Sequence, residues 1–370
     1  MSVTPYTIDI PDAVLDDLRD RIARTRRAPV HVAGDWSRGM PPRILDAVLA
    51  HWGGPYDWRA AEARLNGFEQ MLVDTSVVPV HVLRAGTPGA TPLLLIHGWP
   101  DGFVRFEKAL PLLAERFDLV MPSIPGFAFS GKPDRALGPQ GVADVFAEVM
   151  TALGHETFGV HGADLGSQIG EQIAARHPGR VLGLHLGDTP LRRLRALAAS
   201  AAPEELSAEE RDWLARLTDW ETREGAYARL QRTKPQTVGV ALDDSPAGLA
   251  AWIVEKFQAW SDGDVLEVYS LDELCTNLTI YWATTSGMSA AQYYYDNGHS
   301  VLPDDRVDIP VGVAMWPADL LPGPRSAVER WFDVRRWTVM PRGGHFGPWE
   351  EPRLWADDVR AFFDGLEGRA

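Results

Sequence analysis

Asp164 lies in Gly162-Ala163-Asp164-Leu165-Gly166, directly after the apolar run 158–161 and before residues at helical spacing. A small-x-acid-x-small turn between a strand and a helix presents its central side chain on a strained bend, and packing against both elements demands glycine. A carboxylate at that tip is ionised near neutral pH and can attack carbon without help from a base. His345 lies in the loop Arg342-Gly343-Gly344-His345-Phe346-Gly347, after the last apolar run, and Asp319 follows the preceding run in Trp316-Pro317-Ala318-Asp319. Carboxylate, acid and imidazole in that chain order form a set in which His345, oriented by Asp319, activates a water against an ester on Asp164. His97-Gly98-Trp99-Pro100 ends an earlier apolar run, and the backbone N–H groups of Trp99 and Leu165 could together meet an oxyanion.

Each feature also has an ordinary reading. Asp164 could cap the helix that follows it, Asp319 could be a solvated loop carboxylate, and His97–Pro100 could be a plain strand-to-helix turn. Their joint order along the chain favours chemistry.

The elements that must position these residues follow from periodicity. Residues 11–27 carry Val14, Leu15, Leu18, Ile22 and Ala23 at helical spacing, and helical patterns recur at 41–52 and 58–69. Trp36, Trp52 and Trp58 suit a helical opening that packs on something larger. From residue 70 strand-like runs at 78–83, 93–96, 117–121, 158–161 and 181–186 alternate with helical stretches at 103–115, 139–153 and 167–176. This alternation predicts βαβ units and a parallel sheet. It lapses over 188–305, where patterns such as 207–216, opened by a Ser207/Glu210 capping box, and 246–258 are helical. Strands resume at 309–315 and 337–340, and 352–366 closes as a helix. A stretch as long as 188–305 is too much for a loop in a compact domain. The predicted architecture is therefore a mostly parallel central sheet flanked by helices, which together with the Asp164 turn and the order Asp164, Asp319, His345 resembles the α/β-hydrolase fold. A helical N-terminal segment (1–69) packs on a core (70–187 and 306–370), and a helical cap (188–305) is inserted between two strands.

Composition excludes several roles. Over 370 residues, 36 basic and 51 acidic side chains leave a net charge of −15, which repels phosphate backbones and anionic lipid, so no nucleic acid or membrane partner is expected. Cys275 is the only cysteine, which rules out an intramolecular disulfide. The opening residues are charged and amphipathic without the apolar stretch of a signal peptide, and no run approaches the ~18 apolar residues of a membrane span. A cytoplasmic location is expected. No Cys/His cluster has ligand spacing and no phosphate loop or dinucleotide fingerprint is present, so neither metal nor organic cofactor is expected.

Taken together the motifs resemble the microsomal-type epoxide hydrolases, including their soluble bacterial members. The resemblance runs through Asp35–Gly39, Tyr56-Asp57-Trp58-Arg59, His97–Pro100, Pro122-Ser123-Ile124-Pro125-Gly126-Phe127 and the Asp164 turn. It continues through Thr233-Lys234-Pro235, Asp244-Ser245-Pro246, Glu255-Lys256-Phe257, the run 277–297 and Gly343-Gly344-His345-Phe346. It implies a triad of Asp164, His345 and Asp319, with two cap tyrosines holding the epoxide oxygen. One is Tyr227 in Gly225-Ala226-Tyr227; the other is Tyr294, with Tyr293 or Tyr295 as the alternative register. The implied substrate is a small-molecule epoxide. Cap aromatics such as Trp252, Trp260 and Trp282 suggest that it is apolar or aromatic, although such residues more often serve packing, and Trp99, Phe127, Trp252 and Trp282 are the expected contacts. Leu165 departs from the Trp that many relatives carry after the nucleophile, and Asp319 stands where some carry Glu. N-terminal or cap surfaces could support a homodimer. A haloalkane or haloacid dehalogenase would share the elbow acid but needs halide-binding N–H donors, of which Leu165 removes one. A silent hydrolase-fold binding protein would have lost a member of the triad, and Ser167 lies beyond the elbow tip that a serine esterase would use.

Overall fold

In a computed structural model the described residues are 1–27, 34–301 and 306–367. Among the described residues nine strands form one sheet: β1 (Val3–Pro5), β2 (Glu69–Val73), β3 (Val80–Gly86), β4 (Thr91–Ile96), β5 (Phe117–Pro122), β6 (Phe158–Gly162), β7 (Val181–Leu186), β8 (Val307–Met315) and β9 (Phe332–Val339). Their spatial order is β1-β2-β3-β5-β4-β6-β7-β8-β9. Pairing is antiparallel from β1 through β3 to β5 and parallel from β5 to β9. Strands β4, β5 and β6 are almost wholly buried, as strands covered by helices on both faces must be, which explains their unbroken apolar runs. Chain order reverses at β4, whose neighbours are β5 and β6, and ligands in such sheets bind beyond the strand C-termini at that switch point.

Helices Pro139–Ala152, Leu165–Arg176 and Pro352–Glu367 flank the sheet. Between β7 and β8 the described residues form helices and no strand, among them Leu191–Ser200, Ala208–Arg223, Ala226–Thr233, Pro246–Trp260, Leu271–Ala283 and Ser286–His299. The expected cap boundary at 305/306 falls on residues outside the described set. Ser207 caps its helix by accepting from the Glu210 N–H at 3.1 Å, and the Glu210 carboxylate accepts from the Ser207 N–H at 2.7 Å. None of the described helices is long and apolar enough to cross a membrane.

Three elements differ from the sequence reading. The opening segment is not purely helical, because Val3–Pro5 adds an edge strand beside β2. Three exposed residues ending in proline carry no alternating pattern to read. β2 begins at Glu69, where a helix was expected to end. The expected helix 103–115 is a 3-10 turn at Phe103–Phe106 followed by the single turn Leu110–Leu113. Pro111 lacks the N–H that a continuous helix would need.

The N-terminal helices Asp12–Ala23, Pro42–Trp52 and Trp58–Leu65 pack on the cap, which accounts for the aromatic opening. Trp52 Nε1 donates to Thr279 Oγ1 at 2.8 Å, the Tyr56 hydroxyl lies 3.0 Å from Thr276 Oγ1, and Arg21 reaches Asp244 at 2.7 Å while covering the Trp282 ring. The cap in turn grips the turn after β4. Asn277 Nδ2 donates to the Pro100 carbonyl at 2.9 Å and the Tyr281 hydroxyl to the Asp101 carbonyl at 3.0 Å. Beneath that turn Asp101 and Arg105, both fully buried, pair at 2.7 Å. Asp101 also accepts the Gly98 N–H at 3.1 Å, and Arg105 donates to the His345 carbonyl at 3.1 Å. One buried ion pair thus joins two loops that are distant in sequence. Arg105→Met should lower unfolding free energy by about 3–5 kcal/mol, because it strands the Asp101 charge in the core; urea denaturation measures this, and an unchanged midpoint would contradict it.

Candidate active site

β6 ends at Gly162, and the chain enters helix Leu165–Arg176 through Asp164 at φ 57° and ψ −118°, a backbone conformation that L-residues avoid. A Cβ on Gly162 would stand 2.1 Å from the Gly166 carbonyl oxygen, and one on Gly166 would stand 2.3 Å from that of Ile96. Glycine at both positions is a steric requirement of the bend. The Asp164 side chain makes no capping hydrogen bond to the helix that follows, so the helix-cap reading fails. Its Oδ1 instead accepts the Trp99 N–H at 2.9 Å. Burial pushes the Asp164 pKa up, but His345, through hydrogen bonding and charge, together with the N–H groups of Trp99 and Leu165, holds the carboxyl below its usual value.

His345 Nε2 lies 3.6 Å from Asp164 Oδ2, and His345 Nδ1 lies 2.6 Å from Asp319 Oδ1. The His345 N–H donates to the Trp260 carbonyl at 2.8 Å, and the Ala318 N–H donates to Gly343 at 3.2 Å. The cap and the loop after β8 therefore both fix the imidazole. Burial works against the imidazolium, but the charges of Asp319 and Asp164 outweigh it and raise the pKa to about 10. The second buried imidazole, His97, has the opposite character. Its ring nitrogens engage the Gly98 carbonyl at 2.9 Å and the Ile124 N–H at 3.0 Å, and burial lowers its pKa to about 4. His97 is a neutral brace for the turn that carries Trp99.

Tyr227 and Tyr294 face the triad from the cap. The Trp99 indole stacks on Tyr227 at 5.2 Å and meets Tyr294 edge-on at 5.6 Å. The two phenols interact by hydrogen bond, and burial raises both pKa values well above the ordinary phenol value, so both stay protonated. Buried Lys256 lies 4.9 Å above the Tyr227 ring. Of the alternatives to Tyr294, Tyr295 is 41% exposed and stacks on His299, while Tyr293 packs edge-on against Phe127. Asp164, Leu165, Asp319, His345, Tyr227 and Tyr294 line one cavity of about 190 Å³.

None of the four expected wall residues lines it: Trp99 instead packs its indole on Tyr227 and Tyr294. Phe127 is buried between His97 and Tyr293. Trp252 donates to Gln231 at 3.2 Å within the cap, and Trp282 faces Arg21 of the N-terminal segment. These rings serve packing. The actual wall sets Arg192, Arg195 and Arg232 beside apolar and aromatic residues such as Leu191, Trp220 and Leu321, so the chamber is mixed, and its arginines were not expected.

Sequence reasoning also missed Asp188. Its Oδ2 accepts the Asp164 N–H at 2.7 Å, and its Oδ1 takes the Ser167 hydroxyl. Burial, and then the nearby Asp319 charge, raise its pKa to about 7. The signal was available, since Asp188 follows β7 as Asp319 follows β8. No group of three or more His, Cys, Asp or Glu side chains among the described residues is arranged to hold a metal ion. Asp188→Ala should cost about 1–3 kcal/mol of stability by orphaning the strained Asp164 N–H, and should lower turnover with it. Asp188→Asn, which keeps an acceptor oxygen, should recover most of that loss. Equal unfolding midpoints for the Ala variant and the parent protein would refute the bracing role.

Comparison with known proteins follows the same outline. Residues 3–106 match the family described as epoxide hydrolase N terminus, and residues 91–312 match the alpha/beta hydrolase fold. The chain is 36% identical to a protein of Stigmatella aurantiaca over 99% of its own length and 86% of that protein's. It is 32% identical to epoxide hydrolase 1 of Sus scrofa, with 99% of this chain and 89% of the relative covered. Among solved structures, juvenile hormone epoxide hydrolase from the silkworm Bombyx mori superposes with a TM-score of 0.89 at 28% identity, covering 99% of this chain and 95% of the other. Aspergillus niger epoxide hydrolase gives 0.86 at 30% identity, covering 99% and 97%.

Proposed function

The chain belongs to the epoxide hydrolase family of the α/β-hydrolase fold, and from that premise we propose that it opens an epoxide with water through a covalent ester on Asp164. The observation that carries the mechanism is the placement of His345. Its Nδ1 is 2.6 Å from Asp319 and its Nε2 3.6 Å from Asp164, beneath two protonated phenols. Asp164 attacks a ring carbon, the C–O bond breaks, and the departing oxygen takes a proton from the Tyr227/Tyr294 pair. A proton from the His345 imidazolium restores the phenol.

Forming the ester changes the charge balance at the imidazole. In the resting enzyme two carboxylates hold the proton on His345. Esterification removes the Asp164 charge, leaving Asp319 alone against burial, and the His345 pKa falls. The neutral imidazole then takes a proton from water as the water attacks the ester carbonyl carbon. The N–H groups of Trp99 and Leu165 meet the oxyanion, a contribution of roughly 3–4 kcal/mol for each such donor. Collapse breaks the bond to the glycol oxygen, which takes the remaining proton of the attacking water, so the diol leaves and the carboxylate and the imidazolium are restored together.

Three outcomes test this. His345→Gln should accumulate enzyme heavier by one epoxide in intact-mass analysis, whereas Asp164→Ala should accumulate none. A single turnover in heavy-oxygen water should leave the first diol unlabelled, because the water oxygen enters the Asp164 carboxylate; labelled diol would mean direct attack by water. Tyr227→Phe or Tyr294→Phe should slow ester formation by roughly 10²-fold.

pH should separate the two half-reactions. Ester formation should be flat across roughly pH 6–9, where Asp164 is ionised. Ester hydrolysis should rise with pH through the pKa of His345 in the ester form, below the resting value of about 10. Asp319→Asn removes the remaining raising charge and should move that limb to lower pH while reducing its plateau. Rapid-quench mass spectrometry resolves both steps, and an unmoved limb would argue against His345 as the base.

A further inference from the structure

The cavity that holds the triad is bounded on one side by three guanidinium groups, and nothing in the ring-opening chemistry uses them. Arg192 and Arg195 come from helix Leu191–Ser200 and Arg232 from helix Ala226–Thr233. Arg192 donates to Asn297 Oδ1 at 3.2 Å, to Ser300 Oγ at 2.9 Å and to the Ser300 carbonyl. Arg232 donates to the Ala228 carbonyl of its own helix at 3.2 Å, and Gly298 leaves room for its stem, since a Cβ there would meet Arg232 Cδ at 3.1 Å. Neither has a carboxylate within ion-pairing distance among the described residues. Arg195 pairs with Glu221 at 3.0 Å while lying over the Trp220 ring. The nearest acid in the wall, Glu171, is occupied by Arg193 at 2.8 Å. On the floor, Asp164 and Asp319 are balanced by His345, and buried Asp188 is held by hydrogen bonds.

This arrangement is costly in the free protein. Arg192 and Arg195 are partly desolvated, and each is disfavoured by the Arg232 charge. Glu171 and Glu221 respectively offset that cost only in part, since both guanidiniums still have lowered pKa values. Guanidiniums at the mouth of a merely solvated pocket would not need to share one small cavity on a protein of net charge −15. An oxyanion between them would relieve the repulsion and match the planar donor edges that Arg offers to carboxylate or phosphate. An anion approaching unaided would meet the acids on the cavity floor; the arginines reverse that field on their own side.

Building on the epoxide hydrolase reading, we propose that the substrate is an epoxide carrying an oxyanion, a carboxylate or a phosphate ester, which Arg192 and Arg232 bind while Asp164 attacks the ring. The anion is a recognition handle and takes no part in bond making.

The test compares kcat/KM for 4-(oxiran-2-yl)benzoate, its methyl ester and a matched epoxyalkyl phosphate. The parent enzyme should prefer one or both anions over the neutral ester by at least about tenfold, as expected of a charge-assisted contact. Raising salt from about 20 mM to about 500 mM should erode that preference. The preference lies in KM rather than kcat. In Arg192→Gln and Arg232→Gln the ratio of acid to ester should collapse toward one, and Arg232→Lys should retain part of it. Because the readout is a ratio, a general loss of activity divides out, and the parent enzyme alone decides the matter if a variant does not fold. A neutral ester hydrolysed as well as both anions at low salt overturns the anion site and leaves the epoxide reading standing. Absence of diol from all three probes overturns the epoxide reading itself.

Discussion

The whole site depends on a backbone conformation that Asp164 would not adopt if left to itself. A non-glycine residue in that region of φ and ψ costs on the order of 1–3 kcal/mol, so the surroundings must over-determine it. Four features do so. Glycines at 162 and 166 let strand and helix approach to contact, Asp188 accepts the backbone N–H of the bend, Ser167 ties Asp188 to the following helix, and the Trp99 N–H fixes the side chain. The helix cannot relax the bend without breaking these contacts. The carboxylate is consequently aimed at the cavity instead of at the helix N–H groups it could have capped.

Once the carboxylate is fixed, electrostatics follow from position. Two acids flank one imidazole in a buried site, so the resting proton belongs to the imidazole and Asp164 remains charged. A third acid, Asp188, lies close enough to Asp319 that like-charge repulsion adds to burial and raises its pKa. Two acids in one cavity thus shift in opposite directions because their partners differ: Asp164 lies against a cation, whereas Asp188 is held chiefly by hydrogen-bond donors. In the proposed two-step reaction, esterification of Asp164 would lower the pKa of the imidazole, so the first half-reaction acts as a switch for the second.

What could be read from the sequence was whatever local sterics impose. The glycine-flanked Asp164, the order Asp164, Asp319, His345, and the buried strands of the parallel sheet all leave short-range patterns, because each is a demand of backbone geometry or of burial on two faces. β1 left none, being a short, exposed edge. The expected helix after β4 was broken by Pro111 in the middle of an otherwise apolar stretch. Asp188 followed the same strand-end rule that singled out Asp319 and was simply not pursued. The cavity wall was illegible for a deeper reason. Aromatic cap residues carry no mark that distinguishes packing from lining, and Phe127, Trp252 and Trp282 proved to pack. Arginines on helical surfaces look solvated until the fold turns them inward.

That difference also explains how the fold separates reaction from recognition. The reacting groups hang from the sheet edge and from loops locked by the buried Asp101–Arg105 pair, and their geometry tolerates no variation. The arginines come from cap helices, and the helix of Arg192 and Arg195 packs with the next cap helix and with the segment after β8 in a second, smaller apolar cluster around Leu194, Trp213, Leu217 and Leu321. Substitution there changes what lies over the triad without disturbing the bend beneath it. A catalytic floor set by backbone sterics under a wall set by exchangeable side chains lets one family keep its chemistry while its members differ in substrate, so motif resemblance reaches the reaction and stops short of the molecule it acts on. In this chain, charge in the wall is the feature that bears on the substrate, because guanidiniums that are partly desolvated and repel one another in one cavity would be relieved by an anion between them.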